Sequence, residues 1–240
     1  MKPYKHQTSI SLDAYGILKR YGLVYLAMQE RTGKTLTSIL TCEMCSDNQK
    51  EILVITKKKA IKGWEDTLKA YKHNKVYTIA DYEMLHKITK KFDLVIIDEA
   101  HSKIASFPKR SETWELVAKL TKNKPLIFLS ATPSAQSYSQ LYHQLKLSTW
   151  SPWAKFANFY DWHRAYGIAK QTRVAGGRLI NVYDETRKDL IDATTKHLFI
   201  SYTRKQLGFE HEPQDNKIYI EPTKETKALY NALSKDMIIS

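Results

Sequence analysis

The chain has 240 residues, of which 42% are hydrophobic and 26% are charged, as in ordinary globular proteins. This composition excludes a disordered chain, and two cysteines are too few for a disulfide scaffold. No apolar run approaches the ~20 residues of a membrane span, and no apolar signal segment follows Met1. We therefore expect an intracellular, cytoplasmic protein without a membrane partner. The formal net charge of +13 favours a polyanionic partner, nucleic acid first.

Short, nearly continuous apolar runs alternate with helical patterns in the first part of the chain. Such runs predict buried strands at residues 23–27, 52–56, 76–79, 94–98 and 126–130. Between them, apolar residues follow helical spacing, as in Leu36, Ile39 and Leu40. The alternation predicts an α/β fold, a parallel sheet with helices on both faces. Ligands then bind beyond the carboxyl ends of the strands.

The pattern loosens after about residue 147. Residues 148–190 are rich in aromatic side chains, two short β-like runs follow at 197–201 and 217–221, and a helical stretch covers 224–233. We therefore divide the chain into a core at 1–147 and a mostly helical extension at 148–240. Aromatic rings between residues 150 and 166 could stack bases. Core packing is favoured, because Trp and Tyr in an insertion usually anchor it.

The first predicted strand leads into a loop that ends in Gly33-Lys34-Thr35, before a helix. Backbone amides at a helix N-terminus bind phosphate oxygens, so this setting predicts a phosphate loop. Lys34 would reach the β- and γ-phosphates, and the Thr35 hydroxyl would coordinate Mg²⁺. The full pattern has Gly where Met28 stands. The alternative is an ordinary helix start, capped by Thr32, with Lys34 in solvent.

Two carboxylates follow the strand at residues 94–97. In this position Asp98 would hold Mg²⁺, and Glu99 would polarise the attacking water as a general base. The alternative is a solvated acidic turn. At a third strand end, the turn that contains Ser130 and Thr132 suits a relay from the nucleotide to neighbouring elements.

Together these residues resemble helicase superfamily two. Lys34 and Thr35 match its motif I, Asp98-Glu99-Ala100-His101 matches motif II, a DEAH sequence, and Ser130-Ala131-Thr132 matches motif III. Tyr4-Lys5-His6-Gln7 resembles the glutamine motif, which reads adenine.

Further segments narrow the resemblance to one branch of that superfamily. Residues 52–57, followed by Trp64-Glu65, resemble motif Ia, and residues 80–85 resemble the segment before motif II in the Swi/Snf-type branch. That branch translocates on double-stranded DNA, and within it the chain most resembles bacteriophage-encoded members. The branch usually has Gly where Arg31 stands.

The resemblance implies a RecA-like P-loop NTPase lobe that hydrolyses ATP with Mg²⁺. It implies that Lys34, Asp98 and Glu99 act in catalysis. The residues around the nucleotide would be Gln7, Thr32, Gly33, Lys34 and Thr35, and the metal ligands would be Thr35 and Asp98. Coupling to DNA would involve His101, Ser130 and Thr132.

The family's motor has two such lobes, and the later motifs are not found in these residues. Gln171 and Gly176-Gly177-Arg178 resemble the second lobe's arginine motif, but they lie too close to Ser130, so we predict a glycine turn. We therefore expect a first lobe alone. It needs a second lobe, in cis or in trans, and hydrolyses ATP weakly or not at all without it.

Lysines are frequent between residues 57 and 75, at positions 57, 58, 59, 62, 69, 72 and 75. We predict that Lys57 and Lys58, with Lys59 and Lys62 behind them, contact DNA phosphates; the alternative is a solvated helix start. Lys103, Lys109 and Arg110 form a second candidate patch.

Two other functions remain open at this point. One is an RNA helicase lobe of the same superfamily, and the other is a non-catalytic module that binds DNA or protein. The Cys42-x-x-Cys45 pair is predicted to pack in a helix, because zinc needs four ligands and no second pair exists.

Overall fold

The computed structural model describes residues 1–173, 177–208 and 218–236. Within these ranges the chain forms eight α-helices and eight β-strands. The helices are α1 Lys5–Tyr21, α2 Lys34–Glu43, α3 Ile61–Ala70, α4 Glu112–Thr121, α5 Gln140–Lys146, α6 Phe159–Tyr166, α7 Lys188–Thr195 and α8 Lys224–Asp236. The strands are β1 Leu23–Met28, β2 Glu51–Thr56, β3 Val76–Asp81, β4 Leu94–Asp98, β5 Leu126–Leu129, β6 Lys170–Arg173, β7 Leu179–Val182 and β8 Phe199–Tyr202.

Six strands form one parallel sheet in the order β3-β2-β4-β5-β1-β8. Its central strands are buried on both faces, because successive side chains point to opposite sides and both sides are apolar. Val24 and Leu26 pack with α1, α2 and α3, whereas Leu23 and Tyr25 pack with α4, α5, α6 and α7. The predicted α/β fold, a parallel sheet with helices on both faces, is confirmed.

The part beyond residue 147 contains helices, a hairpin and one strand of the main sheet. Strands β6 and β7 pair antiparallel, and β8 pairs with β1. The predicted helix at 224–233 is confirmed as α8, but the described part of the predicted strand at 217–221 forms no strand. Gly177 has a φ of +77°, which suits a glycine turn, and Gly176 lies outside the described residues. The division at residue 147 stays a prediction about domains.

The aromatic segment anchors this extension to the core. Trp153, Phe159 and Trp162 are buried, and their rings contact one another and Tyr142 of α5. The prediction of core packing is confirmed for these three rings. Trp150 and Tyr160 remain largely exposed.

Cys42 and Cys45 are both buried, and burial raises the pKa of each thiol. The prediction that they pack is therefore confirmed. In the described ranges no three His, Cys, Asp or Glu side chains form a group that could hold a metal ion. No helix in the same ranges is long and apolar enough to cross a membrane.

Candidate nucleotide and nucleic-acid site

The sheet order brings the phosphate loop and the acidic strand end to one edge. Strands β1 and β4 both pair with β5, one on each side of it. Because neighbouring strands lie ~4.8 Å apart, the ends of β1 and β4 are roughly 10 Å apart. This is the carboxyl edge of the sheet, where ligands bind in open α/β folds.

The phosphate loop is closely folded although Met28 replaces a glycine. Gly33 is the N-cap residue of α2, with a φ of +84°. The buried Thr32 donates its hydroxyl to the Gln29 carbonyl oxygen at 2.7 Å. Lys34 Nζ donates to the carbonyl oxygens of Met28, at 2.8 Å, and Gln29, at 3.0 Å. The lysine ammonium therefore lies directly over the loop.

Arg31 also adopts a left-handed conformation, with a φ of +60°. A side chain at such a φ is strained, whereas glycine adopts it freely. The position where the resembled branch has Gly is therefore one where the backbone favours Gly.

The glutamine motif packs against this loop. Gln7 is only 4% exposed, and its Oε1 accepts a hydrogen bond from the Tyr4 backbone N–H at 2.9 Å. A Cβ atom on Gly33 would lie 2.0 Å from Gln7 Nε2, so only glycine allows this approach. The rings of Tyr4 and His6 are stacked with centroids 5.6 Å apart. The structure thus brings Gln7 and the phosphate loop together.

Asp98 is held by three side chains from the segments that resemble family motifs, although the sequence predicted no individual role for any of them. Its Oδ2 accepts hydrogen bonds from Thr56 Oγ1 at 2.8 Å and from Trp64 Nε1 at 3.1 Å. The Tyr82 hydroxyl donates to its carbonyl oxygen at 2.7 Å. Because both side-chain bonds go to one oxygen, the orientation of the whole carboxylate is fixed.

A chain of contacts connects the acidic strand end to the turn after β5. His101 Nδ1 lies 3.6 Å from Glu99 Oε2 and 2.8 Å from the Ser130 hydroxyl. That hydroxyl accepts from the Thr132 backbone N–H at 3.0 Å. Glu99 itself has a φ of +54°, and its backbone N–H donates to the Leu129 carbonyl oxygen. The predicted coupling residues are therefore in direct contact with one another.

Burial and nearby charges set the ionisation of these groups. Burial lowers the pKa of Lys34, and the carboxylates of Glu99 and Asp98 oppose that shift. Burial also lowers the pKa of His101, opposed by Glu99 and reinforced by the Lys57 ammonium. Since the usual histidine pKa is already below 7, His101 is neutral at neutral pH.

A cleft of about 300 Å³ is lined by Tyr82, whose hydroxyl contacts Asp98, and carries a positive excess. Its walls include four lysines, Lys57, Lys58, Lys59 and Lys103, and two carboxylates, Asp81 and Glu83. The structure thus brings Lys103 of the second predicted patch to the first. Lys62, exposed in the first turn of α3, is not part of the wall, and Lys109 and Arg110 line a different cavity.

Lys75 does not belong to this basic surface. It is 5% exposed, and its Nζ donates to the carbonyl oxygens of Cys45 and Ser46, each at 2.9 Å. It directly precedes β3 and so lies at the amino ends of the strands, whereas the lysine cleft lies at their carboxyl ends. Lys75 belongs to the lysine-rich stretch at 57–75 but was not among the predicted DNA contacts, and its ammonium satisfies buried carbonyl groups instead.

Comparisons with known proteins agree with this architecture. Residues 72–135 match the family described as type III restriction enzyme, res subunit. The SWI2/SNF2 ATPase core of Sulfolobus solfataricus, solved in complex with dsDNA, is 17% identical with a TM-score of 0.64. The alignment covers 98% of this chain and 54% of that one.

The same archaeal ATPase core domain, in a second solved structure, gives a TM-score of 0.63 at 17% identity over 98% of this chain and 52% of that one. None of the curated proteins matches the sequence. The chain spans about half the length of the solved structures that it matches. The predicted RecA-like fold is therefore confirmed, and the architecture of the chain is similar to that of about half of a SWI2/SNF2 ATPase core.

Proposed function

We propose that the chain is the ATP-binding first lobe of an ATP-dependent translocase on double-stranded DNA. One observation carries the proposal. The basic turn between β2 and α3 is tied at both ends to the same oxygen of Asp98, by Thr56 before it and Trp64 after it. A group that would hold Mg²⁺ is thereby linked to a group that would hold phosphates of DNA.

The residues at the sheet edge fit a magnesium nucleotide. The backbone at Gly33 has no room for a Cβ atom and opens the N-terminus of α2 to phosphate oxygens. The Thr35 hydroxyl and the Asp98 carboxylate are the hard oxygen ligands that Mg²⁺ prefers. Mg²⁺ bound there would neutralise charge on the phosphates. Lys34 would exchange the carbonyl oxygens of its own loop for phosphate oxygens.

The remaining predicted residues then have roles in proton transfer, coupling and recognition. Glu99 would accept a proton from the attacking water. His101, which is neutral, would carry a change at Glu99 to Ser130, and from there to Thr132. Gln7 of α1 would read the adenine edge from its position against the phosphate loop, and Thr32 would keep that loop closed.

The lysine cleft would bind the phosphates of a nucleic acid, because each lysine contact neutralises one phosphate charge. Lys57, Lys58 and Lys59 would make these contacts with Lys103, and Lys62 would extend the surface along α3. Duplex DNA is favoured over RNA, because the archaeal ATPase core of similar fold was solved with dsDNA. Encoding by a bacteriophage and a cytoplasmic location stay predictions.

A second RecA-like lobe, in cis or in trans, would complete the motor. An arginine supplied by that lobe would raise the rate of ATP hydrolysis by about 10³–10⁵. The chain alone should therefore bind nucleotide but hydrolyse it more slowly than about 1 s⁻¹. We therefore attribute the predicted weak hydrolysis to the lack of this arginine's charge in the transition state, and not to poor nucleotide binding.

The test is steady-state ATP hydrolysis by the purified chain, alone and with duplex DNA or duplex RNA, beside a Lys34→Ala variant. DNA-stimulated turnover that this variant lacks supports a DNA motor, and stronger stimulation by RNA supports an RNA helicase lobe. Magnesium-nucleotide binding without turnover supports a first lobe that needs its partner. If Asp98→Ala with Glu99→Gln keeps full biological activity, the non-catalytic module is correct instead.

A further inference from the structure

A second cavity, of about 480 Å³, lies between α4, α5 and α6. Its volume is in the range of small-ligand sites. The walls combine aromatic rings with cations, and no residue of the phosphate loop or of the acidic strand end is among them. None of the roles proposed above uses it.

The cationic wall holds a guanidinium in a fixed position. Arg110 lies over the Trp114 ring, 4.9 Å from its centroid, and its Nε forms an ion pair with Glu115. Lys109 adds an ammonium group to this wall, and Lys146 also lines it, with its Nζ donating to the carbonyl oxygens of Ala154 and Phe156. Three cations against one carboxylate leave the lining positive, which suits a phosphate.

An aromatic ring with a free surface stands at the rim. Tyr160 is 44% exposed, although Phe159 and Trp162 close to it in the sequence are buried. Its ring makes nearly perpendicular contacts with Phe159 and Tyr183, at centroid distances of 6.0 and 5.5 Å. Tyr160 is therefore held in place while it offers a surface on which a planar group can stack.

One loop joins this cavity to the lysine cleft. Lys103 lines the cleft, and Lys109 and Arg110 line the cavity. The loop is braced internally, since Ser111 Oγ donates to the Lys103 carbonyl oxygen at 3.1 Å. The Ser106 carbonyl oxygen lies 2.7 Å from His143 Nδ1, which ties the loop to α5.

The chain between Lys103 and Arg110 spans at most about 25 Å. This distance is shorter than the length of about eight base pairs of a duplex. One nucleic acid can therefore contact both places at the same time.

We propose that this cavity binds an unpaired base of the nucleic acid, stacked on Tyr160, with its phosphate against Arg110 and Lys109. The proposal rests on the proposed function, because it adds a second contact to a nucleic acid held in the lysine cleft. Stacking between bases and aromatic rings is insensitive to sequence, and adjacent cations hold the backbone. An acidic peptide has some of the same chemistry, but the shared loop favours the ligand that already lies in the cleft.

The test uses the full chain and two fluorescent DNA probes, a blunt duplex and the same duplex with a short single-stranded overhang that contains 2-aminopurine. We expect the overhang to tighten binding about tenfold, from the stacking of one base. Tyr160→Leu and Arg110→Gln should each remove most of this gain, and Tyr160→Leu should leave the affinity for the blunt duplex within about twofold. Quenching of 2-aminopurine on binding should disappear in Tyr160→Leu.

Trp150→Leu is the matched control, because Trp150 is 48% exposed in the same segment but lines a different cavity. It should keep the tenfold gain.

Binding of the blunt duplex with no gain from the overhang, or a gain that survives both cavity variants, overturns this proposal alone. Failure to bind either probe overturns it together with DNA binding by the cleft. Binding of an acidic, tyrosine-rich peptide that Tyr160→Leu abolishes, without an overhang effect, shows a protein ligand instead.

Discussion

Replacing Trp64 by Phe tests whether the indole positions Asp98. The substitution keeps a buried aromatic ring and removes the N–H that donates to Asp98 Oδ2 at 3.1 Å, while the bond from Thr56 remains. A hydrogen bond to a charged acceptor is worth about 1.5–3 kcal/mol. Since about 1.4 kcal/mol is a factor of ten, full transfer of this loss to the metal would weaken Mg²⁺ binding about 10- to 100-fold. Loss of a residue that orients a metal ligand typically costs the same range.

We expect about a tenfold shift, because Thr56 still holds the carboxylate. The assay is binding of a fluorescent ATP analogue as Mg²⁺ is titrated, and the concentration at half-saturation should rise by that factor. Binding without Mg²⁺ should be unchanged. Circular dichroism and thermal unfolding show whether the variant is folded.

Trp114→Phe provides the matched control. Trp114 is also buried, and its indole N–H donates to the His143 carbonyl oxygen at 2.7 Å, with no bond to Asp98. This variant should keep the wild-type dependence on Mg²⁺. The reasoning is refuted if the two variants shift that dependence equally, or if Trp64→Phe does not shift it at all.

Four further changes test other features. Gly33→Ala should displace Gln7 and destabilise the fold by about 1–3 kcal/mol in thermal unfolding, and an unchanged melting temperature contradicts the close approach. Lys58→Gln should lower the log–log salt slope of DNA binding by about 0.9, and an equal slope removes it from the phosphate contacts. Lys75→Met should lower the free energy of unfolding by about 1–3 kcal/mol with DNA affinity kept, and lost affinity would contradict its burial. Burial lowers the pKa of His143, so the unfolded chain takes up its proton first and stability should fall as pH drops below 6.5; His143→Gln should reduce this fall in urea unfolding.

The strands could be predicted because each buried strand is a continuous run of apolar residues in the sequence. β4 has the predicted bounds, and β1, β2, β3 and β5 differ by at most two residues at an end. A run buried on both faces has no polar residue to interrupt it. In contrast, α1 was not predicted as a helix, although its buried residues Ile10, Ala14 and Leu18 follow helical spacing. The described part of the predicted strand at 217–221 forms no strand, because β-propensity alone does not form one without a pairing partner.

The site could be predicted only where chemistry follows a local pattern. Lys34 begins the helix that follows β1, and Asp98 ends β4, and the sequence marks both positions directly. The hydrogen bonds from Thr56 and Trp64 to Asp98 depend on the pairing of β2 with β4, and strand order is not visible in a single sequence. The same is true of the cleft that joins Lys103 to Lys57, since the two residues meet only after the sheet is assembled.

The pairing of β8 with β1 has a consequence for the order in which the chain folds. Gln29 of the phosphate loop donates its backbone N–H to the Tyr202 carbonyl oxygen, and its side chain accepts from the Arg204 backbone N–H, 175 residues later. At 5–20 residues per second, the ribosome delivers these partners roughly 10–35 s after the loop. During that interval β1, six apolar residues long, has an open edge that can pair with another chain. These contacts of the loop after β1 therefore form late during synthesis, and a chain stopped at residue 147 would keep that open edge.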